Sequence, residues 1–134
     1  MRIAQSQNTK AELTDKATSF IGMATYGQIM VGDQAFEFYN DKNPRDYIQI
    51  PWDEVELVIA SVYFRGRWIP RFAIQTKRNG TFPFAARHAK RVLRAIRNHV
   101  DPDKLVYSLT FFQVIRRGFR RLYDRLIHRD GYLK

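Results

Sequence analysis

Gly22 and Gly27 stand five residues apart, the spacing of the two glycines in a phosphate-binding loop. Such a loop needs Lys and then Ser or Thr after the second glycine, because the ammonium holds the phosphates and the hydroxyl holds magnesium. Gln28 and Ile29 follow instead, so the motif is absent. The histidines His88, His99 and His128 have no close spacing with one another, and two of them sit among Arg or Lys, whose charge opposes a bound cation. No metal site is expected, and a phosphorylatable histidine has no support here beyond the residue type. Asp53, Glu54 and Glu56 crowd behind Trp52. Paired carboxylates can act as general acid and base, but a solvated turn and strand edge accounts for these better. There is no G-x-S-x-G nucleophile elbow. The absence of cysteine excludes disulfides, thiolate catalysis and Cys-based zinc sites. No catalytic constellation emerges, so a non-enzyme without cofactor is expected.

Two features survive. The first is the C-terminal stretch LTFFQVIRRGFRRLYDRLIHR, read as a helix with an aromatic-rich apolar face and an arginine-rich polar face. On it Phe111 and Phe119 would enter a membrane interface while Arg116, Arg117, Arg120 and Arg121 meet anionic headgroups. The competing reading packs the apolar face on the rest of the chain or on a second copy of it. The second feature is the turn Arg65-Gly66-Arg67-Trp68, with Arg71 nearby, as an anion, headgroup or partner contact; an exposed hairpin tip is the plainer explanation.

The elements that must position these residues are mostly strands. Tyr47 to Ala86 reads as strands joined by tight turns, with Ile48, Ile50, Val55, Leu57, Ile59, Val62 and Phe64 suited to a half-buried pleated surface. Pro51 removes a ladder donor and ends or bends its strand. Arg65-Gly66-Arg67 and Lys77-Arg78-Asn79-Gly80 are turn clusters, and Asn79-Gly80 is the strongest hairpin signal in the chain. Upstream, residues 1–12 are expected to be loose, Leu13 to Met23 to form a first strand with Ala17, Ser19, Ile21 and Met23 on one face, and Gln28–Val31 to pair with Ala35–Tyr39 across Gly32-Asp33-Gln34. Asn40 to Arg45 is a loop by composition. At Ala86 the period changes to that of a helix: Ala89, Val92, Leu93, Ile96 and Val100 share one stripe, and this helix is expected to cover an open barrel end. Asp101-Pro102 ends it and starts a second helix running to about Ile127, with Leu105, Val106, Leu109 and Phe112 on one stripe.

The chain has 134 residues, one domain's worth, and can bury a core without metal or disulfide. Its net charge of +10 is uneven. Residues 1–86 carry ten Lys and Arg against nine Asp and Glu; residues 87–134 carry thirteen against four. An anionic partner is therefore expected for the C-terminal third. The first residues lack the apolar run of a signal peptide and no segment approaches a membrane span, so a cytoplasmic protein is expected, peripheral at the inner membrane face.

The segments NTKAELTDKATSF, YGQIMVGDQAFEFYNDKN, YIQIPWDEVELVIASVYFRGRWIPRFAIQTKRNGTF and SLTFFQVIRRGF together resemble an uncharacterised family of low-GC Gram-positive bacteria. The resemblance covers roughly residues 8 to 119. The family is usually encoded beside permease genes of the mannose/fructose/sorbose-type sugar phosphotransferase system and is sometimes labelled a regulator of the mannose operon. It brings no catalytic residues. The strand pattern also resembles pleckstrin-homology or GRAM-like domains, in which a curled antiparallel sheet is closed by a C-terminal helix; no phosphoinositide headgroup motif accompanies it.

The expected fold is mainly β with C-terminal helices (α+β): an antiparallel curled sheet or barrel, pleckstrin-homology-like, capped by a helix within residues 1–100, followed by a basic amphipathic helical extension over 101–134. The expected function is a non-enzymatic accessory or regulatory protein of a mannose-type phosphotransferase system, associating with the permease or with an anionic membrane surface. The alternative is a nucleic-acid-binding regulator of the mannose operon, and a homo-oligomer is a further expected partnership.

Overall fold

The structure, a computed structural model, describes residues 6–43, 45–64 and 67–107. Its strands are β1 (Ala11–Ser19), β2 (Thr25–Gly32), β3 (Ala35–Asn40), β4 (Tyr47–Pro51), β5 (Val55–Tyr63), β6 (Trp68–Thr76), β7 (Thr81–Ala86) and β8 (Leu105–Tyr107), with one α-helix, α1 (Ala89–Ile96). They form one sheet in the order β4-β3-β2-β1-β7-β6-β5-β8. All neighbours are antiparallel except β5 and β8, which run parallel.

Strand alternation builds the core. Ile29 and Val31 of β2 and Phe36 and Phe38 of β3 point inward, as their period-two spacing predicts. Phe36, Phe38, Phe72 and Phe84 pack as an aromatic knot, with Phe84 within 5.1 to 5.8 Å of the other three ring centroids. From α1, Val92, Leu93 and Ile96 enter the same core, and Ala89 is also buried. Pro51 ends β4, and one turn of 3-10 helix over Trp52–Glu54 leads into β5. At the β6–β7 turn Gly80 adopts φ 87°, a conformation that a side chain disfavours.

Five expectations are corrected. The sheet is not closed into a barrel, and it is mixed rather than wholly antiparallel. Among the described residues no ladder joins β4 to β5; β4 forms one edge, and β8 takes up the outer edge of β5 over Val58–Ala60. The first strand spans Ala11–Ser19 rather than Leu13 to Met23; Gly22 at φ 71° turns the chain, and Ile21 and Met23 are exposed. The helix that follows β7 stops at Ile96, although Val100 remains buried beyond it. Pro102 does begin a helical turn, but it is a 3-10 turn of three residues ending at Lys104, and Asp101 makes no side-chain cap bond. Leu105 and Val106 are then strand residues rather than part of a helical stripe; the remainder of the expected second helix lies outside the described residues.

The fifth correction concerns the segment read as loose. Residues 6–10 are laced to the β2–β3 hairpin. Ser6 Oγ and Gln7 N donate to the Glu37 carboxylate at 2.7 and 2.6 Å. Asn8 Oδ1 accepts from Gln34 N and Ala35 N, both at 2.7 Å, and its amide donates to Ala35 O. Thr9 and Lys10 donate to Asp33. Glu37 points away from the aromatic core yet is fully buried, because it is covered and hydrogen-bonded by this segment.

Candidate functional site

The β5–β6 hairpin ends in aromatic side chains. Tyr63 and Trp68 pair across it with centroids 5.3 Å apart, and Phe64 stacks on Trp68 at 6.2 Å. Phe64 lies at φ 54°, a left-handed conformation unusual for a bulky residue, and its carbonyl accepts from Arg67 N at 3.2 Å. Phe64 and Trp68 are 71% and 52% exposed, so the tip presents two large rings to solvent.

Beside the tip lies the start of α1. It is held to β1 by two kinds of contact: Arg87 N donates to Lys16 O at 2.9 Å, and Asp15 receives His88 N at 2.6 Å and His88 Nδ1 at 2.9 Å. This attachment, with the apolar stripe facing the core, leaves the basic residues of α1 outward. Together with the first residues of β6 they line a groove of about 540 Å³. Its cations are Arg67, Arg87, Lys90, Arg91 and Arg94; Trp68 and His88 also border it, and among the described residues no carboxylate lines it. None of the five cations forms an ion pair among the described residues, where only Arg78 with Glu54 pairs apart from the histidines. Five cations outnumber the Asp15 carboxylate bonded to His88, which raises the positive potential there, so the surface favours a phosphate- or carboxylate-rich partner.

Of the residues singled out in the sequence, Arg67 and Trp68 fall together at the mouth of this groove. Arg65, Phe111, Arg116, Arg117, Phe119, Arg120 and Arg121 lie outside the described residues. Arg71 is elsewhere, with its guanidinium 4.5 Å from the Phe20 ring centroid. Arg87, Lys90, Arg91 and Arg94 fall outside the apolar stripe of Ala89, Val92, Leu93, Ile96 and Val100. Their spacing did place Lys90, Arg91 and Arg94 opposite the core stripe; what it lacked was the β6 hairpin alongside.

Two other polar groupings are engaged within the fold. Glu54 pairs with Arg78 at 3.5 Å. His99 Nε2 meets Glu12 Oε1 at 2.7 Å while its ring stacks on Trp52 at 4.7 Å and 6°. Among the described residues no three His, Asp or Glu side chains converge as metal ligands. Also among them, no helix is long and apolar enough to cross a membrane.

A family model described as a domain of unknown function (DUF956) matches residues 3–119. Comparison with curated proteins returns no match. Among solved structures, the crystal structure of the C-terminal domain of an unknown protein from Leishmania infantum is similar, with a TM-score of 0.58 and 11% identity. The match covers 67% of this chain and 83% of that one, a likeness of fold alone.

Proposed function

The chain belongs to the DUF956 family, and on that premise we propose that it is a non-enzymatic accessory protein that docks on an anionic membrane surface beside a mannose-type phosphotransferase permease. The observation that carries the reading is the groove of Arg67, Arg87, Lys90, Arg91 and Arg94, unpaired among the described residues and flanked by the exposed rings of Phe64 and Trp68. Aromatic rings settle at the lipid–water boundary while cations meet headgroups, each basic residue near the surface adding about 1 kcal/mol. The link to the permease comes from the family resemblance of the sequence segments quoted above. In the same proposal the sheet is of pleckstrin-homology type: its first seven strands are antiparallel in the order β4-β3-β2-β1-β7-β6-β5, and a helix follows. The parallel strand β8 is an addition to that plan.

Co-sedimentation with vesicles is the test. The full chain is expected to pellet with phosphatidylglycerol-rich vesicles and to stay in solution with phosphatidylcholine alone. Replacing Arg87, Arg91 and Arg94 by Gln removes about 3 kcal/mol, on the order of a hundredfold in affinity. Equal retention on both vesicle types, or undiminished binding of the triple variant, overturns docking through this face. Sequence-specific retention of operon promoter DNA at physiological salt would instead favour the nucleic-acid alternative. Co-purification of the sugar permease from native membranes tests the named neighbour.

A further inference from the structure

We propose that Nε2 of His88 is a phosphoryl-acceptor site, a modification site distinct from docking although it shares the same groove. Asp15 fixes the His88 side chain. Its side chain is only 7% exposed and it grips His88 twice, through the backbone N at 2.6 Å and through Nδ1 at 2.9 Å. A carboxylate accepts, so Nδ1 carries a proton, and in the neutral ring Nε2 holds the lone pair that can attack. Nε2 has no hydrogen-bond partner among the described residues, and the ring is 47% exposed. His88 lines the groove with Arg67, Arg87, Lys90, Arg91 and Arg94, cations suited to the oxygens of a transferring phosphoryl group. His99 provides the contrast: its Nε2 is taken by Glu12 and its ring lies against Trp52.

The donor class is a phosphoramidate or acyl phosphate. The Nε2 lone pair attacks phosphorus and the Nε2–P bond forms. The bond from phosphorus to the leaving amine or carboxylate breaks, and the leaving group keeps that electron pair. The ring then carries positive charge, which Asp15 balances through the Nδ1 proton. No oxidant or reductant enters.

The full chain is incubated with potassium phosphoramidate, without lipid, and followed by intact mass, alkaline peptide mapping and phosphorus NMR. A single phosphoryl group is expected on Nε2 of His88, acquired about tenfold or more faster than on His99 or His128. His88→Gln removes it. Arg91→Gln with Arg94→Gln leaves His88 and Asp15 intact and is expected to slow it about tenfold. Reaction at His128 or His99 as fast as at His88, attachment at Nδ1, or a rate unchanged by the arginine pair overturns the proposal. Because this assay contains no membrane and the vesicle assay no phosphoryl donor, either reading can fail without the other.

Discussion

Asp33 shows how much one turn residue can organise. Thr9 N, Thr9 Oγ1 and Lys10 N all donate to its carboxylate, and Gln34 adds a fourth bond. The Thr9 hydroxyl is the largest influence holding its pKa well below the ordinary 3.8, against an opposing contribution from burial. The folded chain therefore binds this proton less readily than the unfolded chain. The stabilisation is fully present above pH 3.8 and is lost as pH falls below it toward the folded value. Urea unfolding between pH 2 and 6 is expected to show Asp33→Asn less stable than wild type at pH 6, with the difference shrinking as the medium is acidified. The opposite displacement is seen at Tyr39, whose hydroxyl is pushed up chiefly by burial while Gln49 donates to it at 3.1 Å. Gly27 is a steric case. A Cβ there would sit 2.0 Å from the Tyr39 carbonyl oxygen on the neighbouring strand, and backbone cannot step aside. Gly27→Ala is expected to cost about 3 kcal/mol or more in chemical denaturation, at the upper end for overpacking.

Among elements, β8 is the least anticipated. Leu105, Val106 and Tyr107 pair in parallel with Val58, Ile59 and Ala60 of β5. Lys104 Nζ reinforces the approach by donating to Val55 O at 3.1 Å. Leu105 and Val106 fit a helical stripe with Leu109 and Phe112 equally well on paper, because so short an apolar run carries no period of its own. What selects the strand is the outer edge of β5, whose backbone groups need partners. Val106→Pro removes a ladder donor and bares that edge. Faster hydrogen exchange through β5 and a rise in self-association at high concentration are expected; unchanged exchange would mean that β8 contributes little. The hairpins, by contrast, were readable in advance. Gly32-Asp33-Gln34 and Asn79-Gly80 each separate apolar runs of period two, and both turns fall where that pattern puts them. The basic face of α1 was half readable: its stripe of Ala89, Val92, Leu93 and Ile96 dictated which residues face outward, but not that Arg67 and Trp68 would stand beside them.

Across the molecule, charge is uneven along the chain. The core among the described residues comes from strands within the nearly neutral residues 1–86, the inner stripe of α1 and Val100, while the excess of cations begins at Arg87. Docking through so many cations is electrostatic at long range, and the screening length falls from about 10 Å at 0.1 M salt to about 3 Å at 1 M. Retention on anionic vesicles is accordingly expected to fall steeply between low and high salt, leaving a salt-resistant remainder from Phe64 and Trp68 that the double alanine variant abolishes. Salt-independent retention would assign the contact to apolar insertion alone. From residue order alone came the β character, the hairpin turns, the core positions and the cationic excess, since alternation, turn chemistry and charge are local properties of a chain. The open sheet, the burial of Glu37 beneath residues 6–10, the parallel β8 and the meeting of α1 with the β6 hairpin were settled only in three dimensions. Each depends on which distant backbone edge or side chain is left needing a partner once the local elements have formed.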